Sequence, residues 1–273
     1  MTNPDQGDRY THGHHASVVD QHRRRTVEEA AAFLLPRLTP AMRILDFGCG
    51  PGSITVGLAR RVPDGQVVGI DVVPEVIEQA RELAVTSELH NVHLEIGDVY
   101  ALQYEDDSFD VAYGHQVLQH LSDPVSALRE LRRVVRPGGL VAVRDADYGT
   151  MVHAPRDPRL HQWLQLYHAV AQRNEAEADA GRYLHGWLQQ AGYEAPEMSS
   201  STWTFYQPRQ VLNWGDSWAQ RTTESAFATQ AIEYGLATAT ELEQYATAWR
   251  EWARRPDAFF AFIHVEGLAT VPA

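Results

Sequence analysis

The chain has 273 residues, 44% hydrophobic and 22% charged, with a formal net charge of −13. That length allows one substantial core with room for an insertion, and the acidic balance argues against a broad nucleic-acid footprint, which needs clustered Lys and Arg. A single cysteine, Cys49, excludes an intrachain disulfide. No charged, then apolar leader pattern opens the sequence and no long apolar run crosses it, so the expected location is the cytoplasm and no membrane association is expected.

Residues 1–9 are polar. Tyr10-Thr-His-Gly-His-His15 follows, but no carboxylate or thiolate set at ligand spacing lies nearby, so no metal site is expected. The basic knot His22-Arg-Arg-Arg25 precedes Thr26-Val-Glu-Glu29, a capping-box pattern. That pattern predicts a packing helix with Ala30, Phe33 and Leu34 on one face, and the basic knot is expected merely to flank its start.

Ile44 and Leu45 read as a buried strand. Asp46-Phe-Gly-Cys-Gly-Pro-Gly52 then packs three glycines into a tight turn, and Ser53 is the expected N-cap of a helix carrying Ile54, Leu58 and Val62. Strand, glycine turn and helix in this order make the first crossover of a nucleotide-binding sheet. The glycine spacing is not that of a dinucleotide fold, because Ser53 occupies the place of its third glycine. A carboxylate at the strand end would repel a pyrophosphate and suits a cationic ligand. Cys49 fits the turn by its small size, which is sufficient reason for it without a nucleophilic role.

Residues 66–71 read as the second strand, closed by Asp71, which can accept hydrogen bonds from both ribose hydroxyls of an adenosine or cap the next helix. A helix is predicted over 74–84 and a third strand over 91–96, ending in Gly97-Asp98-Val99. Ser108-Phe-Asp-Val111 opens a fourth strand, after which His115 and Gln116 fall at its carboxyl end, where open α/β sheets bind ligands. His120 is either a packing histidine or an acid/base and substrate contact. An amphipathic helix from 123 to 135 should be stopped by Arg136-Pro-Gly-Gly139, with a fifth strand over 140–143. Asp145 and Asp147 are then expected to emerge on the ligand side.

Asp46-x-Gly-x-Gly-x-Gly, the acid ending the second strand, Gly-Asp ending the third, Ser-Phe-Asp-Val opening the fourth and Arg-Pro-Gly-Gly before the fifth together resemble class I, Rossmann-like S-adenosylmethionine-dependent methyltransferases. The likeness covers roughly residues 40–145, and its overall pattern is similar to the ubiquinone/menaquinone-type and natural-product small-molecule group. It implies an α/β fold with a seven-stranded, mostly parallel sheet, helices on both faces and the last strand, residues 259–266, antiparallel. It implies S-adenosylmethionine as cofactor, S-adenosylhomocysteine as product, and methylation of O, N or C on a small organic acceptor. It further assigns cofactor binding to Asp46, Gly48, Cys49, Gly50, Asp71, Val72, Asp98, Val99, His115 and Gln116, with Asp98 toward the adenine amino group and His115 and Gln116 toward the methionine half. The catalytic candidates are Asp145 and His120. The segment before the glycine loop is expected to fold over the site as a lid, with Tyr10, His14 and His15 at its mouth.

The expected organisation is an N-terminal lid and packing helix over 1–38, a cofactor-binding core over 39–149, and the rest of the sheet with a helical cap insertion over 150–273, the cap falling near 150–180 and 208–255. The cap is rich in Trp, and its aromatics are expected to be core more than substrate cage; any facing the pocket would suit a flat apolar acceptor or a cationic product. No Asn/Asp-Pro-Pro-aromatic motif for methylating bases follows the fourth strand. A homodimer is open. Two other readings share these residues: a cofactor-binding cyclase or regulator without methyl transfer, which keeps every motif, and a nicotinamide-dependent oxidoreductase, which lacks both its glycine spacing and a Tyr-x-x-x-Lys set.

Overall fold

The computed structural model describes residues 8–11 and 25–272. Its sheet has seven strands in the order β3-β2-β1-β4-β5-β7-β6: β1 (Arg43–Phe47), β2 (Gln66–Asp71), β3 (Val92–Ile96), β4 (Phe109–His115), β5 (Val135–Ala154), β6 (Glu197–Phe205) and β7 (Phe259–Thr270). Strands β1 to β5 pair in parallel, and β7 runs antiparallel to both β5 and β6. The antiparallel last strand is therefore where the sequence put it, and it is longer than expected.

Alternation along the strands sorts the core into two layers. On one face Ile44, Val67, Val111 and Ala142 meet Ile54 and Leu58 of helix α2 (Ser53–Arg61). On the other, Leu45, Val68, Ala112 and Val141 meet Leu128 and Leu131 of α4 (Pro124–Val134) and Leu184 and Leu188 of α6 (Leu184–Gln190). Helix α3 (Pro74–Thr86) covers the β2–β3 side. Asp123 caps α4 by accepting from the Ser126 amide at 3.0 Å, and Pro124 supplies the first helical residue, where a missing N–H costs nothing.

Three local expectations need correction. The predicted packing helix is one turn, α1 (Val27–Ala30), followed by a short 3₁₀ turn at Leu35–Arg37 that contains Pro36. The cap of α2 is Gly52 and not Ser53; Gly52 has φ +82°, and a Cβ there would sit 2.9 Å from the Ala80 Cβ. Most consequentially, β5 starts directly after α4 and runs on through Asp145 and Asp147 to Ala154, because β7 continues to pair with it (Asp145↔Val265, Asp147↔Ile263, Val152↔Ala261). A hydrogen-bonding partner strand extends what Arg136-Pro-Gly-Gly139 alone marks as a short strand.

The cap is built from α5 (Pro158–Arg173), α7 (Pro208–Glu224), α8 (Ala226–Glu233) and α9 (Ala239–Ala253). They close over one apolar cluster in which Trp163, Trp214, Trp218, Trp249 and Trp252 are all buried, together with Tyr148 of β5 and Phe260 and Phe262 of β7. Most of the cap's aromatics are core, as expected. Among the described residues no helix is long and apolar enough to cross a membrane.

Candidate active site

The strand order reverses between β1 and β4, and the crevice at their carboxyl ends is where an open α/β sheet takes its ligand. A cavity of about 310 Å³ lies there. Its floor is Asp46, Gly48, Cys49 and Gly50 from the β1 end and turn; one side is Asp71 and Val72 after β2 with Asp98 and Val99 after β3; the other is His115 and Gln116 at the end of β4. Every residue expected to hold the cofactor thus lines one cavity, and His120 joins them.

The turn is fixed from both sides. Gly48 has φ +64°, and a Cβ on it would lie 2.5 Å from the Val117 side chain, so only glycine fits. Asp71 accepts the Gly50 amide on one carboxylate oxygen and the Val73 amide on the other, each at 3.1 Å, tying the turn to the β2 end. Asp98 accepts the Tyr100 amide at 2.9 Å. Val72 is 64% exposed and faces the cavity, an apolar surface that a flat ring would cover.

Asp46 is 2% exposed and accepts from the Thr55 hydroxyl at 2.6 Å. Burial, and to a lesser degree the charge of Asp71, push its carboxyl up to about 7 against the pull of the Thr55 hydrogen bond. No cation pairs with it among the described residues. Cys49 is 8% exposed, and burial followed by the charges of Asp46 and Asp71 holds its thiol well above the ordinary range, which leaves it protonated.

The N-terminal segment reaches the site. Asp8 accepts the Tyr100 hydroxyl at 2.8 Å and the Ser122 amide at 3.0 Å, and Tyr10 sets its ring edge-on to His120 at 4.5 Å between centroids. The same segment ties into the cap, where Arg9 bonds Tyr234 and Glu233 and Asn174 donates to Thr11. Tyr10 at the mouth was anticipated; His14 and His15 lie outside the described residues.

Sequence reasoning missed Arg25. Its guanidinium, far from merely flanking a helix, lines the cavity and donates to the Gln116 side-chain oxygen, while its Nε is buried with no hydrogen-bond partner among the described residues. Burial lowers its pKa to about 10. The one available signal was its place immediately before the cap residue Thr26. Gln116 is held by strain and by bonds together: φ is +57°, its amide donates to the Arg144 carbonyl at 2.7 Å, and its side-chain nitrogen lies 2.7 Å from Nε2 of the fully buried His264. Burial, then the charges of Arg144 and Arg25, drive the His264 pKa well below the ordinary value, so the ring is neutral and accepts from Gln116. Behind it the buried Arg144–Glu266 pair, at 3.3 Å, is satisfied by Ser199 and Ser201.

Asp145 does not line the cavity. It is 1% exposed, one oxygen accepts the Gln119 amide at 3.1 Å, and the other has no partner among the described residues. Burial pushes its carboxyl up to about 7 despite the Gln119 hydrogen bond. Gln119 in turn lies 3.0 Å from Nε2 of His120, so Asp145 reaches the site only through its neighbour. Asp147 is likewise buried, in an ion pair with Arg182. Both were expected to emerge on the ligand side; the continued β5–β7 pairing holds them in the sheet.

A second, much smaller chamber of about 20 Å³ adjoins the first, sharing Tyr10, Arg25, Gln116 and His120 and walled otherwise by Tyr148, Trp203, Trp214, Trp218, Arg221 and Phe262. Among the described residues no cluster of His, Cys, Asp and Glu could hold a metal ion.

A family model described as a methyltransferase domain matches residues 38–192. An uncharacterized methyltransferase of Schizosaccharomyces pombe is 37% identical over 204 residues, 72% of this chain and 73% of that one. A probable methyltransferase of Aspergillus luteorubrus is 28% identical over 98% of this chain and 99% of its own. Among solved structures, phosphoethanolamine N-methyltransferase 2 of Haemonchus contortus, in complex with phosphomonomethylethanolamine and S-adenosylhomocysteine, superposes with a TM-score of 0.56 at 16% identity, covering 90% of this chain and 53% of that one.

Proposed function

The chain belongs to the methyltransferase family, and from that premise we propose how its residues divide the work of methylating a small organic acceptor. Its cofactor is S-adenosylmethionine. The residues present fit that group: a buried carboxylate, Asp46, lacks a cation among the described residues, the cofactor carries an ammonium, and the turn beside it admits no Cβ. When bound, the cofactor supplies a methyl group on a sulfonium, whose departure leaves a neutral thioether.

In this reading Asp71 holds the ribose hydroxyls, Asp98 and the apolar Val72 and Val99 hold the adenine, Asp46 holds the ammonium, and Arg25, kept in place by Gln116, holds the carboxylate. His115 closes the methionine end. The protein's contribution is chiefly alignment, which in near-attack geometry is worth about 7–11 kcal/mol. His120 stands in the wall common to cavity and chamber, and is the residue proposed to contact the acceptor and to take a proton where the acceptor holds one, an effect of about 10²–10⁴-fold. Asp145 is a positioning residue that acts on His120 through Gln119. The acceptor enters beneath the cap, and the N-terminal segment closes the mouth.

The observation that carries this reading is the single cavity at the sheet's switch point, lined by the whole set of strand-end residues. A cytoplasmic location, a role in secondary metabolism, no nucleic-acid partner and a homodimer belong to the same proposal. The test is transfer of labelled methyl from S-adenosylmethionine to a panel of small phenols, carboxylic acids and amines. Label in an organic product supports the reading. Cofactor binding with no label transferred to any member of a broad panel counts against methyl transfer.

A further inference from the structure

Arg25 comes to the cavity from outside the sheet, and residues of β6 and β7 meet it there. Trp203 of β6 lies against its guanidinium, which is 5.7 Å from the ring centre. Gln116 makes the other contact: its side-chain oxygen accepts from Arg25, and its side-chain nitrogen lies 2.7 Å from Nε2 of His264 on β7. The chemistry of the groups fixes the direction of each bond. A guanidinium has only donors, so the amide oxygen of Gln116 must face Arg25 and its NH₂ must face the imidazole. Nε2 of His264 is then the acceptor, and the hydrogen of the neutral ring sits on Nδ1. An imidazolium would set an N–H against that NH₂ and break the contact; burial, then the charges of Arg144 and Arg25, hold the ring neutral.

His264 is a fixed point for this bond. It is fully buried, and its strand is paired on both sides, with Ala146 of β5 and Ser201 of β6 opposite it. Its ring centre lies 4.4 Å from that of Trp203 and 4.7 Å from that of Phe262. Arg25, Gln116, His264 and Trp203 therefore form a closed ring of contacts. Packing alone does not call for an imidazole here, since burying one costs solvation that a Phe or Leu would not lose. The hydrogen bond that offsets this cost goes to a residue of the cavity wall. Trp203 and His264 both lie beyond residues 38–192, the part that matches the methyltransferase domain model.

We propose that His264 is a positioning residue for cofactor binding: by accepting from Gln116 it turns the Gln116 oxygen toward Arg25, and so holds the guanidinium, supported by Trp203, ready for the carboxylate of the cofactor's amino-acid chain. His264 acts through its neighbours and does not itself touch the cofactor. Ordering a long side chain in advance removes a cost that binding would otherwise carry. This rests on the assignment of Arg25 to the cofactor carboxylate and extends it to the last strand of the sheet.

Two ligands separate positioning from general packing in calorimetry of the full chain: S-adenosylhomocysteine, and 5′-methylthioadenosine, which keeps the nucleoside and thioether but lacks the amino-acid chain. His264→Phe, which keeps a ring and removes the acceptor, should weaken S-adenosylhomocysteine about tenfold, the order of one lost hydrogen bond to a charged group. It should change 5′-methylthioadenosine affinity by less than about twofold, because that ligand does not reach Arg25. His264→Gln, whose carbonyl can stand in for Nε2, should restore most of the loss. Arg25→Met should also weaken S-adenosylhomocysteine selectively, and adding His264→Phe to it should cost nothing more. A His264→Phe variant that leaves S-adenosylhomocysteine unchanged, weakens both ligands alike, or adds its full effect to Arg25→Met overturns the proposal. Should thermal melting show that His264→Phe does not fold, nitrogen NMR of isotope-labelled histidines in the wild-type protein decides. The Nδ1–H tautomer with a bare Nε2 is expected for His264 at neutral pH, and the Nε2–H tautomer or an imidazolium overturns the proposal. Failure of Arg25→Met to weaken S-adenosylhomocysteine would instead overturn the assignment of Arg25 to the carboxylate, which is a separate failure.

Discussion

The larger cavity and the small chamber share a wall yet are built by different rules. The cavity is lined mainly by residues that follow the ends of β1, β2, β3 and β4, with Asp8, Tyr10 and Arg25 added from the N-terminal side, and much of its recognition is backbone geometry: a glycine turn, an amide held by Asp71, a strained Gln116. The chamber is lined by interior side chains from β5, β6, β7 and α7, far apart in sequence, brought together only by the cap. One site is dictated locally and the other by packing, so mutations should separate them.

The largest effect should fall on packing. Trp163, 1% exposed, packs against Trp218 and Trp249 and donates its indole N–H to Thr222 at 3.0 Å, and it lines neither space. Trp163→Ala should cost about 3–5 kcal/mol of stability, measured by denaturant unfolding, yet leave S-adenosylhomocysteine affinity within a few-fold in the folded fraction. Equal losses of stability and affinity would mean that the cap and the cofactor site are not separable. Asp71→Ala should do the reverse. It removes the acceptor that orders Gly50 and the proposed ribose contact, and calorimetry should register a loss of about 1.5–3 kcal/mol in cofactor affinity.

Two pH experiments sharpen the contrast. Asp46 must be ionised to meet an ammonium, but with a pKa raised to about 7 it is protonated below neutrality in the free protein. S-Adenosylhomocysteine affinity should therefore fall about tenfold between pH 8 and pH 6, and Asp46→Asn should be weaker throughout and lose that slope. A flat wild-type profile would remove Asp46 from the ammonium site. Asp145 is also raised to about 7, so it is protonated more readily folded than unfolded, and the cost of ionising it grows as pH rises from about 4 through 7. Asp145→Asn should raise the melting temperature more at pH 8 than at pH 5. An unchanged difference between the two would mean that Asp145 ionises freely and is not enclosed as described. The smallest effect belongs to Cys49→Ala, which should shift cofactor affinity less than about twofold, and the native thiol should react slowly with maleimide at pH 7, since burial keeps it protonated.

What was legible in the sequence follows the same division. Asp46, the glycines and Asp71 could be read because each stands at the junction of a short apolar run and a helix signal, where chain direction alone sets its place, whereas Asp98 could be read only from the family resemblance of Gly97-Asp98. Gly52 rather than Ser53 as the cap of α2 turned on a left-handed φ that sequence cannot display. The extended β5 was hidden because its last residues are ordered by β7, more than 100 positions away, and with it went the true place of Asp145 and Asp147. Arg25 and Arg221 were unreadable as neighbours, for no local pattern links a residue before a capping box to one in the fourth turn of a cap helix. The Trp-rich composition announced a cap but not which of its rings face inward to the core and which line the chamber.

The most direct test is a crystal structure with S-adenosylhomocysteine bound. The account predicts the ribose hydroxyls within hydrogen-bond distance of Asp71, the amino group beside Asp46 and the carboxylate on Arg25, with the sulfur facing the wall of Tyr10 and His120. A ligand bound elsewhere, or one whose amino group lies away from Asp46 with Arg25 turned to solvent, would contradict it.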